Sequence, residues 1–312
     1  MNYTKAARNL RANYKDIQQI FKIIIIIKIM VTVLNSVQLI NISRKMSSDL
    51  LSWSTLDNST MARWLVSVWD IGKTKDEKRL GAPIVTPLEL INRLIIMYSK
   101  VGDAVLDPFM GTGSTMVSAY MLIRKGIGFE IYKPLIDLAV KRLNEVEEMR
   151  GPQPLSLPDA LTLEVDALRR EVDHEPVLVM DDARNMDKYI AEESVELVLT
   201  APPPFIFGLG GARNLDPRDI GGINDYATYL EELVKILALA RRSLKKGGFM
   251  IIIIGDVNAG PTIFPLHVDL INTLKKLNLE ARDIFIWDKR KDYDPKSMTS
   301  KVHEYIMIFQ KT

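Results

Sequence analysis

The sequence predicts an α/β fold, a mostly parallel sheet of seven strands with helices on both faces, finished by a C-terminal antiparallel hairpin. Three observations predict it. From about residue 86 onward, short β-branched runs alternate with stretches of helical apolar period. A single glycine bend, Gly111-Thr112-Gly113, stands between the apolar run Ala104 to Leu106 and a helical stretch that starts near Ser114. The last two apolar runs, DIFIWDK and HEYIMIFQK, have no helical segment between them.

The glycine bend is the organising element. Val105 to Glu130 packs a strand, the bend, a helix and a second strand, Ile127 to Phe129, into one nucleotide-binding half unit. The first N–H groups of the helix face whatever anion sits in the bend. Glu130 ends the second strand about 20 residues past the glycines, where an acid is placed to accept both hydroxyls of a ribose. Two glycines alone also occur in ordinary strand-to-helix turns, so the longer string DPFMGTGST, a helix, then IGFEI carries the specificity. That string resembles the S-adenosylmethionine (SAM) motif of the amino-methylating DNA methyltransferases, close to DPFxGSGTT…IGIE. The resemblance implies a Rossmann-like SAM-dependent methyltransferase domain. Its cofactor, S-adenosyl-L-methionine, would be held by Asp107, Pro108, Phe109, Gly111, Gly113, Ser114, Thr115, Glu130 and Ile131.

Composition narrows the chemistry. With 312 residues, 47% hydrophobic and 26% charged, the chain suits one large α/β domain with appendages, divided here into an N-terminal extension, 1–46, and a methyltransferase domain, 47–312. A net charge of +2 neither demands nor excludes nucleic acid, so local basic clusters have to carry that argument. The absence of cysteine excludes disulfides, zinc-thiolate sites and iron–sulfur clusters, and it suits a cytoplasmic protein. It also excludes carbon-5 methylation of cytosine through a thiolate adduct. No histidine pair or carboxylate cluster has metal spacing, so no metal is expected.

Residues 1–20 are basic and polar, and FKIIIIIKIMVTVL follows as the most apolar run of the chain. Lys22 and Lys28 interrupt it, which favours a buried strand or helix, or an upstream extension with Met46 as initiator, over a membrane span. Trp53, Trp64 and Trp69 point to packing. SVWDI, a charged loop KTKDEKR, and GAPIVTPLELINRLI then resemble a further family element, a WDI segment leading to a GHPTxKPLELxxRLI-like stretch. This implies that Pro83, Thr86 and Pro87 lie against the methionine end of SAM, with Ala82 in place of the usual histidine and Thr86 of the usual lysine. The same stretch reads as a helix with Thr86 as N-cap and Pro87 at its first position. Beyond a proline-marked connection, where the lone His174 reads as surface, VLVMDDARNM forms a third strand ending in acids. By the resemblance, Asp182, beside Ala183, bonds the adenine amino group of SAM.

SVELVLTAPPPFIF is the strand and turn where chemistry is expected, at the carboxyl edge of the sheet. The family turn is (D/N/S)PP(Y/F/W). A polar side chain and the next proline's carbonyl accept the two hydrogens of an exocyclic amine, and the aromatic residue stacks on a flipped base. Here the turn reads Thr200, Ala201, Pro202, Pro203, Pro204, Phe205. Either Ala201 takes the polar place and Pro204 the aromatic one, or Pro202 takes the polar place and Phe205 the aromatic one. Both alignments remove the side-chain acceptor and leave Thr200 as the nearby hydroxyl. TA is nearer to TS than to TD, which favours cytosine N4 over adenine N6.

A glycine-rich loop follows, with Arg213 and Arg218 placed to reach phosphate over the base, or simply solvated. DYATYLEELVKILALARRSLKKGG reads as a long amphipathic helix ending at glycine. Lys289, Arg290 and Lys291 sit in a basic hairpin that either touches the DNA backbone or is solvated, and His303 reads as a hydrogen-bonded strand residue. The resemblance covers about residues 65–312. It implies a DNA methyltransferase of the restriction-modification type, and with no long recognition domain visible such an enzyme is expected to work as a homodimer or with a partner subunit, or to read a short site. Two alternatives stay open: an RNA methyltransferase acting on the guanine amino group, and a catalytically silent SAM- or DNA-binding subunit.

Overall fold

The computed structural model describes residues 60, 63–82, 84–148, 173–205, 215–259, 262–293 and 302–312. The apolar N-terminal run, Met46, Trp53, Pro83 and Arg213 lie outside the described residues. Strand β1 (Val68–Asp70) leads to helix α1 (Lys75–Arg79), helix α2 (Leu88–Tyr98), strand β2 (Ala104–Asp107) and helix α3 (Ser114–Met121). Strand β3 (Lys125–Phe129), helix α4 (Lys133–Glu148), strand β4 (Val177–Val179), a 3-10 turn (Ala183–Lys188) and strand β5 (Val195–Thr200) follow. After a short 3-10 turn (Ile220–Gly222) come helix α5 (Tyr226–Ser243), strands β6 (Leu244–Ile254), β7 (Val257–Ala259) and β8 (Thr262–Phe264), helix α6 (Leu266–Lys275), and strands β9 (Leu279–Asp288) and β10 (His303–Lys311). Among the described residues, no helix is long and apolar enough to cross a membrane.

Among the described residues, the main sheet has eight strands in the order β1-β9-β10-β6-β5-β2-β3-β4, and only β10 runs against its neighbours. The α/β class and the C-terminal antiparallel pair are as the sequence predicts. The strand count is one higher. The extra strand is β1, parallel to β9 in the register Trp69 to Trp287. One tryptophan on each strand explains it: Trp69 of β1 stacks on Phe285 with ring centroids 5.0 Å apart, and Trp287 of β9 donates through Nε1 to the Ile71 carbonyl at 2.7 Å. Buried indoles need such a partner, and supplying it pins the strand to the sheet edge.

The isoleucine run of β6 illustrates how the core divides. Ile251 and Ile253 belong to the cluster on the α2 face, while Met250, Ile252 and Ile254 belong to the cluster on the face of α5 and α6. A strand covered on both faces has no polar alternation, so a continuous apolar run is what this position requires.

Four local readings are corrected. KTKDEKR is not a loop: α1 starts at a reciprocal cap in which Glu77 N donates to Thr74 Oγ1 at 3.2 Å and Thr74 N donates to Glu77 Oε2 at 2.7 Å. Thr86 is not the N-cap of α2: that position is Pro87, without a side-chain cap of its own, and Glu77 Oε1 takes the Leu88 N–H at 2.6 Å. Helix α5 ends at Ser243 rather than at glycine, because buried Leu244 already pairs with Val195 at the start of β6. His174 is buried and stacked on Tyr120, with centroids 5.2 Å apart, rather than surface-lying. The β7–β8 hairpin has no counterpart in the sequence reading.

Candidate active site

Strand order reverses between β2 and β5, which sends the connections to opposite sides and opens a crevice at the carboxyl ends of these two strands. A cavity of about 490 Å³ fills that crevice. It is lined on one side by the glycine bend and Glu130, and on the other by Thr200, Ala201, Pro203 and Pro204.

The glycine bend is fixed from three directions. Gly111 and Gly113 have φ of +52° and +78°, values that disfavour any side chain. They differ in what surrounds them. A Cβ on Gly113 would lie 2.6 Å from Ala139 Cβ of α4, whereas a Cβ on Gly111 would meet nothing within 4 Å. Gly113 therefore serves close helix packing, and Gly111 keeps a face of the bend clear. From α4, buried Arg142 Nη1 donates to the Thr112 carbonyl at 2.6 Å, to Thr112 Oγ1 at 3.1 Å and to Ser114 Oγ at 3.2 Å. Ser114 Oγ in turn donates to the Thr86 carbonyl at 2.8 Å, which ties the segment before α2 to the bend.

Asp107 lies beneath the bend and is almost fully buried. Its carboxylate accepts from Thr115 Oγ1 and Thr200 Oγ1, each at 2.7 Å, and from Phe109 N at 3.0 Å. Burial pushes its pKa up to about 6, against the opposing pull of these hydrogen bonds. The bond to Thr200 crosses from β2 to β5, so Asp107 joins the two halves of the crevice. Thr200 spends its proton there.

Glu130 is held in the same manner. Its Oε2 accepts from Gly111 N at 3.1 Å, and its Oε1 from Ile131 N at 2.8 Å and Tyr132 N at 2.9 Å. Burial raises its pKa, with the three backbone donors opposing. A carboxylate offers about four lone-pair sites, so one remains open, on Oε2. The sequence reading asked this group to receive two hydroxyls; the structure leaves room for one while Gly111 N stays bonded.

The acids after β4 also line the cavity. Asp182 is engaged by Arg184, whose Nη2 reaches Oδ2 at 2.7 Å and whose Nε lies 3.0 Å from both oxygens. Asp181 accepts from Tyr189 OH at 2.9 Å and from Asn185 Nδ2 at 3.0 Å. Ala183 joins them on the wall, as do Pro108, Phe109, Ser114, Thr115, Ile131 and Thr86, while Pro87 begins α2 outside the lining.

At the turn after β5, Thr200, Ala201, Pro203 and Pro204 face the cavity, while Pro202 is buried behind it. Phe205 does not face it either: it is buried against Tyr226, Tyr229 and Phe264, with centroids 5.9, 5.4 and 6.1 Å away. This geometry corresponds to the alignment that puts Ala201 in the polar place and Pro204 in the aromatic place. The extra proline shifts Phe205 by one residue into the core. The Pro203 carbonyl already accepts from Tyr229 OH at 2.9 Å.

The expected phosphate-binding cations among the described residues are paired with acids. Arg218 lines the cavity and pairs with Asp216 at 2.8 Å. Lys289 pairs with Glu304 and Arg290 with Asp288, each at 2.5 Å, and Lys291 with Asp70 at 2.8 Å. Each of these four cations has an acidic neighbour. Sequence reasoning missed Glu77, Tyr132, Arg142 and Arg184. Only Glu77 carried a local signal, the Thr-x-x-Glu spacing of its cap.

With the geometry described, comparison with known proteins places it. A family model described as DNA methylase matches residues 4–141 and 195–312. The Type II methyltransferase M.MthZI of Methanothermobacter thermautotrophicus is 41% identical over 88 residues, 27% of this chain and 25% of that protein. The Type II methyltransferase M.MjaI of Methanocaldococcus jannaschii is 44% identical over 94 residues, 28% of this chain and 30% of that protein. The matched stretch thus spans under a third of each of these relatives. Among solved structures, a DNA modification methylase of Thermus thermophilus complexed with S-adenosyl-L-methionine is 29% identical, covering 42% of this chain and 51% of that one at a TM-score of 0.31.

Proposed function

The chain belongs to the DNA methylase family, and from that membership and the crevice we propose that it transfers the methyl group of S-adenosyl-L-methionine to an exocyclic amino group of a base in DNA. One observation carries this reading: the glycine bend with Glu130 and the turn after β5 line a single cavity. About 490 Å³ lies within the range of small-molecule sites.

The residues present fit such a cofactor. The clear face of Gly111 lets a ligand approach the backbone, the free lone pair of Glu130 Oε2 suits a ribose hydroxyl, and Asp181, Asp182 and Ala183 wall the end where an adenine would lie. When bound, the cofactor supplies an electrophilic sulfonium methyl. The protein's task is to aim an amine at it. An exocyclic amine delocalises its lone pair into the ring, and acceptors for its hydrogens bring that pair back to nitrogen. Here the acceptors are backbone carbonyls of the turn, because the side chain of Ala201 offers no oxygen. Cytosine N4 is the favoured target on the nearness of TA to TS.

The test is to express the protein with plasmid DNA, digest the DNA to nucleosides and identify any methylated one by mass. N4-methylcytosine is expected. N6-methyladenine would change the target and keep the mechanism. A methylated guanine in tRNA, with unmodified DNA, would overturn the DNA reading in favour of the RNA one. A second reading, a silent SAM-binding subunit, is favoured by the missing oxygen at Ala201 and by the Tyr229 bond on the Pro203 carbonyl. Calorimetric SAM binding without any methylated product would support it.

A further inference from the structure

Between the cofactor half and the catalytic half of the cavity, the segment 215–222 crosses over as a strap, and its fastening is unusual in being made from the cofactor side. Leu215, Arg218, Asp219, Ile220 and Gly221 all line the cavity. Tyr132 OH donates to Asp219 Oδ2 at 2.9 Å and accepts from Asp216 N at 3.0 Å. Asp219 Oδ1 accepts from Gly221 N at 2.8 Å and caps the short turn Ile220–Gly222. Gly221 then rests directly on the catalytic turn: a Cβ there would lie 2.8 Å from the Pro204 carbonyl oxygen. On the other side, Tyr132 N donates to Glu130 Oε1. A second fastening comes from Arg184, which bonds Asp182 and also donates through Nη2 to the Arg218 carbonyl at 2.8 Å.

We infer that Tyr132 is a positioning residue that links the ribose-binding acid Glu130 to the Pro203–Pro204 turn through Asp219 and Gly221, so that filling the cofactor half sets the strap and the carbonyls of the turn. The inference rests on the proposed SAM site. The chain runs from the Glu130 carboxylate through the Tyr132 amide and phenol to the Asp219 carboxylate and the Gly221 amide by hydrogen bonds, and ends where the Cα of Gly221 packs against the Pro204 carbonyl. Tyr132 is the one group in it that reaches from β3 to the strap. Its hydroxyl does no chemistry. Hydrogen-bonded to Asp219 and partly buried, it has its pKa pushed up to about 12 and stays protonated at neutral pH.

Tyr132→Phe keeps the ring and deletes the link. The variant loses two hydrogen bonds, the charge-assisted one to Asp219 and the one from Asp216 N, which translates to roughly a tenfold change or more in the population of the fastened strap. Trypsin cleavage after Arg218, located by mass spectrometry, is expected to accelerate by about that factor. Saturating SAM is expected to slow cleavage in the wild type and not in the variant. SAM affinity by calorimetry is expected to stay within about threefold, since the Glu130 bonds use backbone amides. Asp219→Ala is expected to reproduce the effect, and Asp219→Asn, whose single amide oxygen can accept from Tyr132 or from Gly221 N but not from both, to give an intermediate one. Unchanged cleavage and unchanged SAM protection in Tyr132→Phe would overturn the inference. Should the wild type bind no SAM, the proposed function fails, while faster cleavage of the unliganded variant still supports the fastening.

Discussion

The two sides of the crevice are built on different terms. On the glycine side, the groups that define the site are charged or backbone groups locked by buried partners: Asp107 by two hydroxyls and an amide, Glu130 by three amides, the Thr112 carbonyl by Arg142. On the side of the turn after β5, alanine and prolines present only backbone acceptors, and the aromatic ring has turned into the core. A binding half that is rigid before its ligand arrives loses little on binding. A proposed reaction half whose one hydroxyl, on Thr200, already donates to Asp107 depends on where its carbonyls are held. The strap and Tyr132 matter for that reason.

Substitutions that attack the rigid half break the contrast most strongly. Gly113→Ala places a methyl group 2.6 Å from Ala139 Cβ at a φ of +78°. It is expected to destabilise the fold by about 3 kcal/mol, read as a lowered midpoint in denaturant. Next in size is the pH dependence contributed by Asp107. Its folded pKa of about 6 lies above the 3.8 of a free aspartate carboxyl, so the native state binds more protons than the unfolded state between those values. Stability from this group is therefore present below pH 4 and falls as the pH rises toward 6, by on the order of 2–3 kcal/mol. Asp107→Asn is expected to remove that slope from urea midpoints measured across the interval, and an unchanged slope would mean that the carboxylate is not buried as seen. Smaller again, Glu130→Ala is expected to weaken SAM binding by roughly tenfold, about 1.4 kcal/mol. Undiminished affinity would place the ribose elsewhere.

What the sequence made legible follows the same division. The bend, its strands and the acid after β3 were readable because glycine conformation and strand-to-helix order are local properties. The eighth strand was not, since β1 depends on Trp287, more than two hundred residues away, taking up the Ile71 carbonyl. The start of α2 was misplaced for a like reason: its first amide is capped by Glu77, from another helix. The apolar run of β6 was read as a strand, yet its early start at Leu244 is set by pairing with Val195, a contact no periodicity contains. At the catalytic turn, the sequence left two alignments open. Burial of Phe205 among three rings corresponds to one of them, a decision made by α5 and the β7–β8 hairpin rather than by the motif.

The smallest expected effect sharpens the comparison from the catalytic side. Ala201 lines the cavity at a half-buried position, so a serine there adds one hydroxyl to the wall without a cavity or an overpacked methyl. If the reaction half is limited by its lack of a side-chain acceptor, Ala201→Ser returns one hydrogen bond to the target amine. It is then expected to raise single-turnover methyl transfer by about fivefold, the equivalent of roughly 1 kcal/mol. SAM affinity is expected to stay within about twofold, because the added hydroxyl faces the target rather than the glycine bend. A rate that does not move, with SAM affinity equally fixed, would assign the positioning of the amine to the carbonyls alone. A change in SAM affinity instead would show that the two sides of the crevice are not separable at Ala201.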